Sequence, residues 1–348
     1  MKNVFNGIET MQTITIVVPC YNEEKNIRPM YIALTDVLKP YSNYEYEIVF
    51  RDNGSTDGSL DELRRIASDK HVKVISNVRN YGLGGYKDTV AGRVCGDVII
   101  SIACDFQDPP ELIPTFIQFW EEGYEAVCGC KTSSKEGVLK YHARQLFYNI
   151  IGKMSDIPQY KNVSGITLMS RRLYDMSCNN PEMSFRYFLA DLGIQVKLVE
   201  YEQQARRSGK SSYNIWRYLS FAIDSMVTTS YVPLRIATTL GFFTSIVSFC
   251  IGVVYLILKL VLWYKYPVGM APVLIGMFFL GSVQLFFVGI LGEYVRSILD
   301  RVSIHNPPVV KELINYDKAI VESDSLLFPI IEESVVDSDN QSRVQVGK

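Results

Sequence analysis

The feature that most constrains this 348-residue chain is a pair of long stretches without a charged residue. They run from Ile236 to Leu258 and from Tyr266 to Gly292. Each is longer than the roughly 20 residues with which a helix crosses the apolar part of a bilayer. Because the segment between them is too short for a domain, we predict a hairpin of two membrane-spanning helices, at 235–262 and 267–292. Two buried helices of a water-soluble core are the disfavoured alternative, since such helices are seldom this long and apolar.

The residues beside these stretches indicate how the hairpin is inserted. Cytoplasmic flanks of membrane helices are enriched in Lys and Arg. Lys259 and Lys265 lie in the link, which weakens the charge asymmetry without reversing it. We therefore expect both outer flanks and all that precedes them in the cytoplasm, and a multi-pass protein of the inner (cytoplasmic) membrane. The basic residues of the outer flanks are Arg206, Arg207, Lys210, Arg217 and Arg235 before the pair, and Arg296, Arg301 and Lys311 after it.

The composition and the two ends of the chain further limit the classes of protein to which it can belong. The net charge is −2 and the isoelectric point is about 6.0, so no basic field suggests nucleic-acid binding. The seven cysteines are scattered and odd in number, which in a cytoplasmic domain indicates reduced thiols. The first ten residues lack the apolar core of a signal peptide. After about Asp317 the chain is acidic and rich in serine, and we expect a largely disordered tail there.

The first 200 residues alternate between short apolar runs and helical segments. This alternation predicts an α/β domain built of βαβ units around a mostly parallel, Rossmann-like sheet. We expect strands in TITIVVP, YEIVFR, VKVIS and DVIISIA, and helices at 22–39, 59–67, 84–94 and 111–121.

Four loops of this sheet are where a ligand is expected, because ligands of such sheets bind beyond the carboxyl ends of the strands. The loops are PCYNEE, DNGSTDGS, NVRNYGLGG and CDFQDPPE. In the second loop, Ser59 with Glu62 matches a capping box and Asp57 matches turn chemistry, so we interpret these three as structural. Asp52 comes at the strand end, before any cap is needed, which leaves a ligand role open for it.

The fourth loop, CDFQDPPE, allows both a structural and a metal-binding interpretation. Asp108 has the spacing to Glu111 of a helix cap, with Pro109 at the first helical position, so we interpret Asp108 as structural. Capping leaves Asp105 and Gln107 unexplained. Alternation along an extended segment puts both on one face, where their oxygens suit a hard divalent ion that bridges a diphosphate. A dinucleotide-binding enzyme is disfavoured, because GLGGYKDT contains neither GxGxxG nor the phosphate loop GxxxxGK.

In their order, and ahead of an apolar hairpin, these motifs resemble the family-2 glycosyltransferases of the GT-A fold. The closer resemblance is to the membrane-anchored polyprenyl-phosphate glycosyltransferases, which include bactoprenol glucosyltransferases and dolichyl-phosphate mannose synthases. It extends from about residue 13 to 301 and rests on VVPCYNEEKNI, VFRDNGSTDGS, NVRNYG, CDFQDPPELI and GVLKYHARQLFYNIIGKMS. The resemblance implies a cytoplasmic GT-A domain (1–205), a juxtamembrane amphipathic segment with interfacial helices (206–234), the hairpin, and a cytoplasmic C-terminal tail (293–348).

The resemblance also implies a set of site residues. The metal ligands are Asp105 and Gln107, with Mg²⁺ or Mn²⁺ as the ion, and Arg206 joins these two as a catalytic residue. Pro19, Tyr21, Glu23 and Asp52 hold the nucleoside, Arg79 lies near the base or diphosphate, and Lys140, Arg144, Arg206 and Ser211 face the acceptor phosphate.

The activity implied is the transfer of one sugar from a nucleotide sugar to polyprenyl phosphate at the cytoplasmic membrane face, with inversion, in cell-envelope polysaccharide biosynthesis. UDP-sugars are favoured over GDP-sugars by the resemblance alone, and relatives suggest assembly into homo-oligomers. Two alternatives stay open: a transferase for another lipid acceptor, and a catalytically degenerate scaffold that binds nucleotide sugar. A processive polysaccharide synthase is disfavoured, because two membrane helices hardly form a channel and no QxxRW-like motif is present in the sequence.

The chain departs from the family pattern at four positions. Ala103 replaces the first acid of the usual DxD, Asn53 replaces a second Asp, and SGITLMSR has Gly165 and Thr167 in a segment that often carries an acid. These losses do not by themselves remove catalysis, because a polyprenyl phosphate is already an anion and needs no strong base. The reaction needs charge neutralisation on the leaving diphosphate and alignment of the reactants.

Overall fold

The computed structural model describes residues 4–5, 8–9, 11–82, 89–133, 160, 163–179, 185–204, 232–261, 270–302 and 308–317. The chain forms two compact units. The first comprises Met1–Gly137, Gln159–Ser212 and His305–Lys348. The second comprises Val138–Pro158 and Tyr213–Ile304.

The first unit contains a two-stranded sheet and an eight-stranded mixed sheet, whose strand order is β10-β5-β4-β3-β6-β8-β7-β9. Strands β5, β4, β3 and β6 are parallel to one another, β7 is parallel to β9, and the remaining three pairs are antiparallel. The strands are β1 (Val4–Phe5), β2 (Ile8–Glu9), β3 (Thr13–Cys20), β4 (Glu45–Asp52), β5 (Val72–Asn77), β6 (Val98–Ser101), β7 (Ala126–Ser133), β8 (Val163–Ser170), β9 (Val196–Glu202) and β10 (Val310–Ile314).

Helices cover this sheet and carry the apolar stretches. Successive residues of β3 point to opposite faces, so Ile16 and Val18 pack with Met30 and Leu34 of the first helix, while Val17 belongs to a second core. All five side chains are fully buried, and each such burial contributes about 1.5–3 kcal/mol. The helices are α1 (Glu24–Leu38), α2 (Ser59–Ile66), α3 (Ile113–Glu121), α4 (Arg171–Cys178), α5 (Phe185–Asp191), α6 (Val232–Val261) and α7 (Met270–Val302).

The four predicted strands and three of the four predicted helices are present, with end shifts of a few residues. A 3₁₀ turn at Pro110–Leu112 precedes α3, so the predicted helix at 111–121 begins in a tighter form. The predicted helix at 84–94 is wrong at its C-terminal end. Residues 83–88 lie outside the described part of the chain, 89–90 are helical, and 91–93 form a turn that includes Gly92 at φ +74°.

Strand β10 was not expected from the sequence. It follows the second apolar stretch and pairs antiparallel with β5, with Val310 opposite Asn77 and Ile314 opposite Val74. The chain that leaves the sheet before α6 therefore returns to it after α7. The C-terminal part of the chain supplies one edge of the sheet.

Among the described residues, two helices are long and apolar enough to cross a membrane, and both belong to the second unit. The qualifying segments are Leu234–Val254 of α6 and Phe279–Leu299 of α7, and only 6% of each is buried within the structure. The helix α7 continues to Val302, beyond the predicted end of the second span at 292. A water-soluble core helix would be mostly buried, so these two exposed apolar surfaces lack the covering that a soluble fold provides.

Candidate active site

The candidate site is the edge of the sheet where the parallel strands β5, β4, β3 and β6 end. Because these four strands are adjacent and parallel, the loops that follow them meet at one edge. Seven of the predicted site residues lie in the last two positions of one of these strands or in the loop that follows it. They are Pro19, Tyr21, Glu23, Asp52, Arg79, Asp105 and Gln107.

Hydrogen bonds fasten the loop after β3 to the loop after β4. The backbone N–H of Asn22 donates to Ser55 Oγ at 2.9 Å, and Asn22 Oδ1 accepts from the backbone N–H of Thr56 at 2.8 Å. The backbone N–H of Glu23 donates to Ser59 Oγ at 2.9 Å. Asn22 itself has φ +56°, a left-handed conformation that Asn tolerates better than most residues. These hydrogen bonds therefore hold the two loops in a fixed position relative to each other.

The capping box predicted for Ser59 and Glu62 is wrong. Ser59 is the first residue of α2, which has no side-chain cap, and its hydroxyl donates to Asp57 at 2.5 Å while accepting from Glu23 N–H. The Glu62 carboxylate accepts from Arg65 at 2.7 Å. Ser59 contributes to the junction between the two loops, a tertiary role that local spacing does not reveal.

Asp52 is fixed at the end of β4 and is almost completely buried, with 1% of its surface exposed. Its Oδ1 accepts from the backbone N–H of Ser55 at 3.0 Å, and its Oδ2 accepts from Ser76 Oγ at 2.9 Å. A carboxylate has about four acceptor positions, so these bonds set its orientation and leave acceptor capacity. Tyr21 is 39% exposed, and the Glu23 carboxylate accepts from Asn26. The nucleoside-binding role of these residues stays a prediction.

The loop after β5 carries Arg79 and lies against the loop after β4. Gly54 has φ +72°, and a Cβ at this position would lie 2.5 Å from the carbonyl carbon of Arg79. Only glycine fits both the conformation and the space, so the two backbones are in direct contact. The Arg79 side chain is exposed, and its guanidinium carbon lies 4.3 Å from the centroid of the Tyr81 ring.

Asn53 organises the Arg79 loop, a role that the sequence did not reveal. Its Oδ1 accepts from Asn77 Nδ2 at 3.1 Å and from the backbone N–H of Tyr81 at 3.2 Å. Its Nδ2 donates to Asn80 Oδ1 at 3.0 Å and to the carbonyl of Gly82 at 3.2 Å. A carboxylate cannot make the last two bonds, because it has no donor. The departure from Asp at this position therefore has a structural reason.

The loop after β6 holds the predicted metal ligands in a turn. The expectation that Asp105 and Gln107 lie on one face of an extended segment is wrong, because Phe106 between them has φ +60°. The backbone N–H of Gln107 donates to Asp105 Oδ1 at 3.1 Å, which orients the buried carboxylate. Among the described residues, no group of three or more His, Cys, Asp or Glu could hold a metal ion.

These donors fit a hard divalent ion that is shared with a phosphorylated ligand. One carboxylate and one amide oxygen are the ligand type that Mg²⁺ and Mn²⁺ take, and they fill a minority of an octahedral shell. Ala103 contributes no ligand atom. Phosphate oxygens and water would have to complete the coordination, as is usual for Mg²⁺ in nucleotide sites.

Asp108 does not cap a helix, contrary to the prediction. The 3₁₀ turn at Pro110 has no side-chain cap, and the buried Asp108 carboxylate accepts a hydrogen bond from the Tyr201 hydroxyl of β9. Burial raises the pKa of Asp108 and the charge of Asp105 adds to the rise, while the Tyr201 bond and the charge of Lys131 oppose it. Asp108 is thus a buried partner of β9, next to the predicted metal ligands.

Gly165, one of the departures from the family pattern, lies next to Asp108. A Cβ at position 165 would lie 2.9 Å from Asp108 Oδ2, so an acidic side chain there would push against a buried carboxylate. The chain just after β9 contacts the same loop, because the backbone N–H of Gln204 donates to the carbonyl of Gln107 at 3.1 Å. The loop after β6 is therefore in contact with β8 through Gly165, with β9 through Tyr201 and with the chain after β9 through Gln204.

The remaining predicted site residues, Lys140, Arg144, Arg206 and Ser211, lie outside the described residues, as does most of the predicted amphipathic segment at 206–234. The acceptor side of the site stays a prediction.

Comparison with known proteins gives the family. Residues 15–179 match the model of Glycosyl transferase family 2. An uncharacterised glycosyltransferase of Synechocystis sp. is 30% identical over 304 residues, which cover 86% of this chain and 95% of that protein. An SfII prophage-derived bactoprenol glucosyl transferase of Shigella flexneri is 34% identical over 306 residues, which cover 86% of this chain and 97% of that protein.

A similarity to a solved structure is more distant. The glucosyl-3-phosphoglycerate synthase of Mycobacterium tuberculosis, in complex with uridine diphosphate, matches with a TM-score of 0.42 and 20% identity over 62% of this chain and 79% of that chain. The family match and the full-length relatives, together with a mixed sheet whose parallel strands end in one ligand edge, assign the fold and the class of enzyme. The chain belongs to glycosyl transferase family 2 and is a glycosyltransferase of the GT-A fold.

Proposed function

We propose that this enzyme transfers one sugar from a nucleotide sugar to a polyprenyl phosphate at the cytoplasmic face of the inner membrane. The observation that carries the proposal is the extent of the match to a bactoprenol glucosyl transferase, which covers 86% of the chain. A match of that extent cannot be confined to the nucleotide-binding half. A glucosyl group is the first candidate for the sugar, and a UDP-sugar is the favoured donor.

The two exposed apolar helices support a membrane acceptor. Only 6% of each candidate span is buried, and lipid is the surrounding that removes such surfaces from water. An acceptor phosphate on a polyprenyl chain lies at the level of the lipid headgroups. The predicted amphipathic segment at 206–234, with Arg206 and Ser211, is proposed to contact it there.

The edge formed by the four loops suits the donor. We propose that the nucleoside lies against Pro19, Tyr21, Glu23 and Asp52, and that Arg79 contacts the base or diphosphate. Asp105 and Gln107 are proposed to hold Mg²⁺ or Mn²⁺ beside the diphosphate. When bound, the ion neutralises the negative charge that develops on the leaving diphosphate.

The acceptor itself supplies the nucleophile. A phosphate monoester is ionised at pH 7, so its oxygen can attack the anomeric carbon without a strong general base. Attack from the side opposite the diphosphate inverts that carbon. The protein's task is then to align the acceptor through Lys140, Arg144 and Arg206 and to hold the donor still, which is catalysis by positioning and charge.

The test uses the full-length protein in detergent with undecaprenyl phosphate and Mn²⁺. UDP- and GDP-sugars are compared, and release of the nucleoside diphosphate is measured together with the anomeric configuration of the lipid product. Release that requires both polyprenyl phosphate and the divalent ion supports the proposal. Release with a different lipid phosphate only would indicate another acceptor, and binding of nucleotide without release would indicate a degenerate scaffold.

A further inference from the structure

The chain segment that follows the second apolar helix contacts the edge of the sheet where the sugar-nucleotide donor is proposed to bind; this edge is called the donor edge below. The backbone N–H of Val309 donates to the Tyr81 hydroxyl at 3.0 Å, and the backbone N–H of Val78 donates to the carbonyl of Val309 at 3.1 Å. These bonds continue the ladder between β10 and β5 past the end of β5, to the loop that carries Arg79.

Tyr81 is held from two sides and in turn supports Arg79. Its hydroxyl accepts from Val309, and its backbone N–H donates to Asn53 Oδ1. Its ring is half-buried, whereas Arg79 is exposed and lies over that ring at 4.3 Å. A ring fixed in this way restricts an arginine that would otherwise sample many rotamers.

The segment 308–317 has its own anchors away from Tyr81. The buried Glu312 carboxylate accepts from Arg64 Nη2 at 2.6 Å and from Arg64 Nε at 3.2 Å. Asn315 Nδ2 donates to the carbonyls of Ala67 and Val72 at 2.7 and 2.8 Å. The position of Val309 is therefore set by the docked strand and does not depend on the exposed loop that it contacts.

We propose that Tyr81 is a positioning residue of the donor site, and that the chain segment 308–317 is a structural part of that site. The segment fixes the Tyr81 hydroxyl, and the Tyr81 ring holds the Arg79 guanidinium ready for the donor diphosphate or base. A side chain that is already ordered loses less rotamer freedom when the ligand binds, so the donor binds more tightly. This inference rests on the proposed function for the presence of a nucleotide donor and goes beyond it in naming the support of that donor.

The test compares two variants of the full-length protein in detergent. Tyr81→Phe keeps the ring and removes the acceptor of the Val309 N–H, while Tyr81→Leu removes the ring as well. We expect the dissociation constant of UDP with Mn²⁺, measured by calorimetry, to rise about threefold in Tyr81→Phe and about tenfold in Tyr81→Leu. The KM for the donor should rise in parallel, while kcat at saturating donor stays within about twofold.

Two further variants separate positioning from general destabilisation. Tyr31→Phe removes a comparable hydroxyl bond, from Tyr31 to Asp69 at 2.8 Å, away from the donor edge, and should leave UDP binding unchanged. Glu312→Gln weakens the anchor of the returning strand and should weaken UDP binding while leaving the KM for polyprenyl phosphate unchanged.

The outcomes distinguish this inference from the proposed function. If the wild type binds neither UDP nor GDP, the proposed function fails and the inference fails with it. If the wild type binds nucleotide and both Tyr81 variants bind it equally well, the inference alone is overturned. An equal loss in Tyr31→Phe and Tyr81→Phe would also overturn it, because the effect would then be one of stability.

Discussion

Two aspartates three positions apart have different environments and, we infer, different tasks. Asp105 accepts from the backbone N–H of Gln107 and lies in the loop after β6, where the donor is expected to bind. Asp108 is buried against Tyr201 and Gly165. Proximity along the chain therefore does not imply a shared role, and the two residues can be tested against each other.

Asp105→Ala is expected to lower sugar transfer by about 10²-fold or more, because the leaving diphosphate would lose the carboxylate that is proposed to hold its counter-ion. Nucleoside diphosphate release measures the loss. Glu111→Ala is the matched control, since it removes an exposed acid of the same loop and should leave transfer within about twofold. If Asp108→Ala abolished transfer in a folded protein and Asp105→Ala did not, the assignment of the metal ligand would be wrong.

Asp108→Ala is expected to destabilise the domain by about 1–3 kcal/mol, because the Tyr201 hydroxyl loses a buried acceptor. Denaturant unfolding of the single variants and of Asp108→Ala with Tyr201→Phe measures this through a double-mutant cycle. We expect the double variant to cost less than the sum of the singles. Strict additivity would mean that the bond between the two side chains contributes nothing to stability.

Ala103→Asp is expected to strengthen metal binding in the absence of nucleotide, because the number of carboxylates tunes affinity for divalent ions. In the wild type the nucleotide diphosphate must supply more of the coordination, so metal and nucleotide should bind with positive coupling. That coupling is reciprocal, so nucleotide must tighten the metal by the factor by which metal tightens nucleotide. Calorimetric titration of Mn²⁺ with and without UDP measures it. Tight binding to the unliganded wild type, unchanged in Ala103→Asp, would point to another acidic ligand.

Strands and helices whose own sequence has a clear pattern were predicted. Those that depend on partners far away in the sequence were not. The strands β3 to β6 are apolar runs between turn residues, so their positions could be read from the sequence. The segment VKELI of β10 is short and charged, and it is recognisable as a strand only through its pairing with β5. Ser59 and Asp108 were misread for the same reason, because their partners Glu23 and Tyr201 are far away in sequence.

Asn315 directly follows β10, and its replacement tests how much its contacts stabilise the docking of this strand. It has φ +61°, and its Nδ2 donates to the carbonyls of Ala67, after α2, and Val72, the first residue of β5, and lies 3.3 Å from the carbonyl of Asp69. Asn315→Ala should lower the free energy of unfolding by about 2–4 kcal/mol, since it removes part-buried hydrogen bonds and strains the left-handed backbone. Asn315→Gly relieves the strain only and should cost less. Thermal or denaturant unfolding measures both variants. If both lowered the free energy of unfolding equally, the left-handed conformation at position 315 would contribute nothing to stability.

At the scale of the whole molecule, the pairing of β10 with β5 constrains the proposed insertion of the two apolar helices into a membrane. The segments before α6 and after α7 belong to one sheet, so both must lie on the same side. If one of the two apolar helices between them spans a membrane, the other must span it as well, so that the chain returns to the side of the sheet. This argument is independent of the basic flanks from which the same topology was predicted.

We expect a cysteine at position 264, in the link between the apolar stretches, to face away from the cytoplasm. Tyr264→Cys, in a background without the exposed Cys95 and Cys250, should react with a membrane-impermeant thiol reagent in intact cells. Ser42→Cys, at an exposed turn of the sheet domain, is the control and should react only after lysis. Labelling of both positions only after lysis would contradict the hairpin.

The position of β10 late in the chain also determines when the sheet can be completed during synthesis. Ribosomes add about 5–20 residues per second, so β10 emerges on the order of 10–50 s after the strand that it pairs with. During that interval β5 has an open edge, and open edges recruit other chains into aggregates. The sheet thus reaches its final form only after both apolar helices have been synthesised, and until then the edge of β5 is open to chaperones and to other chains.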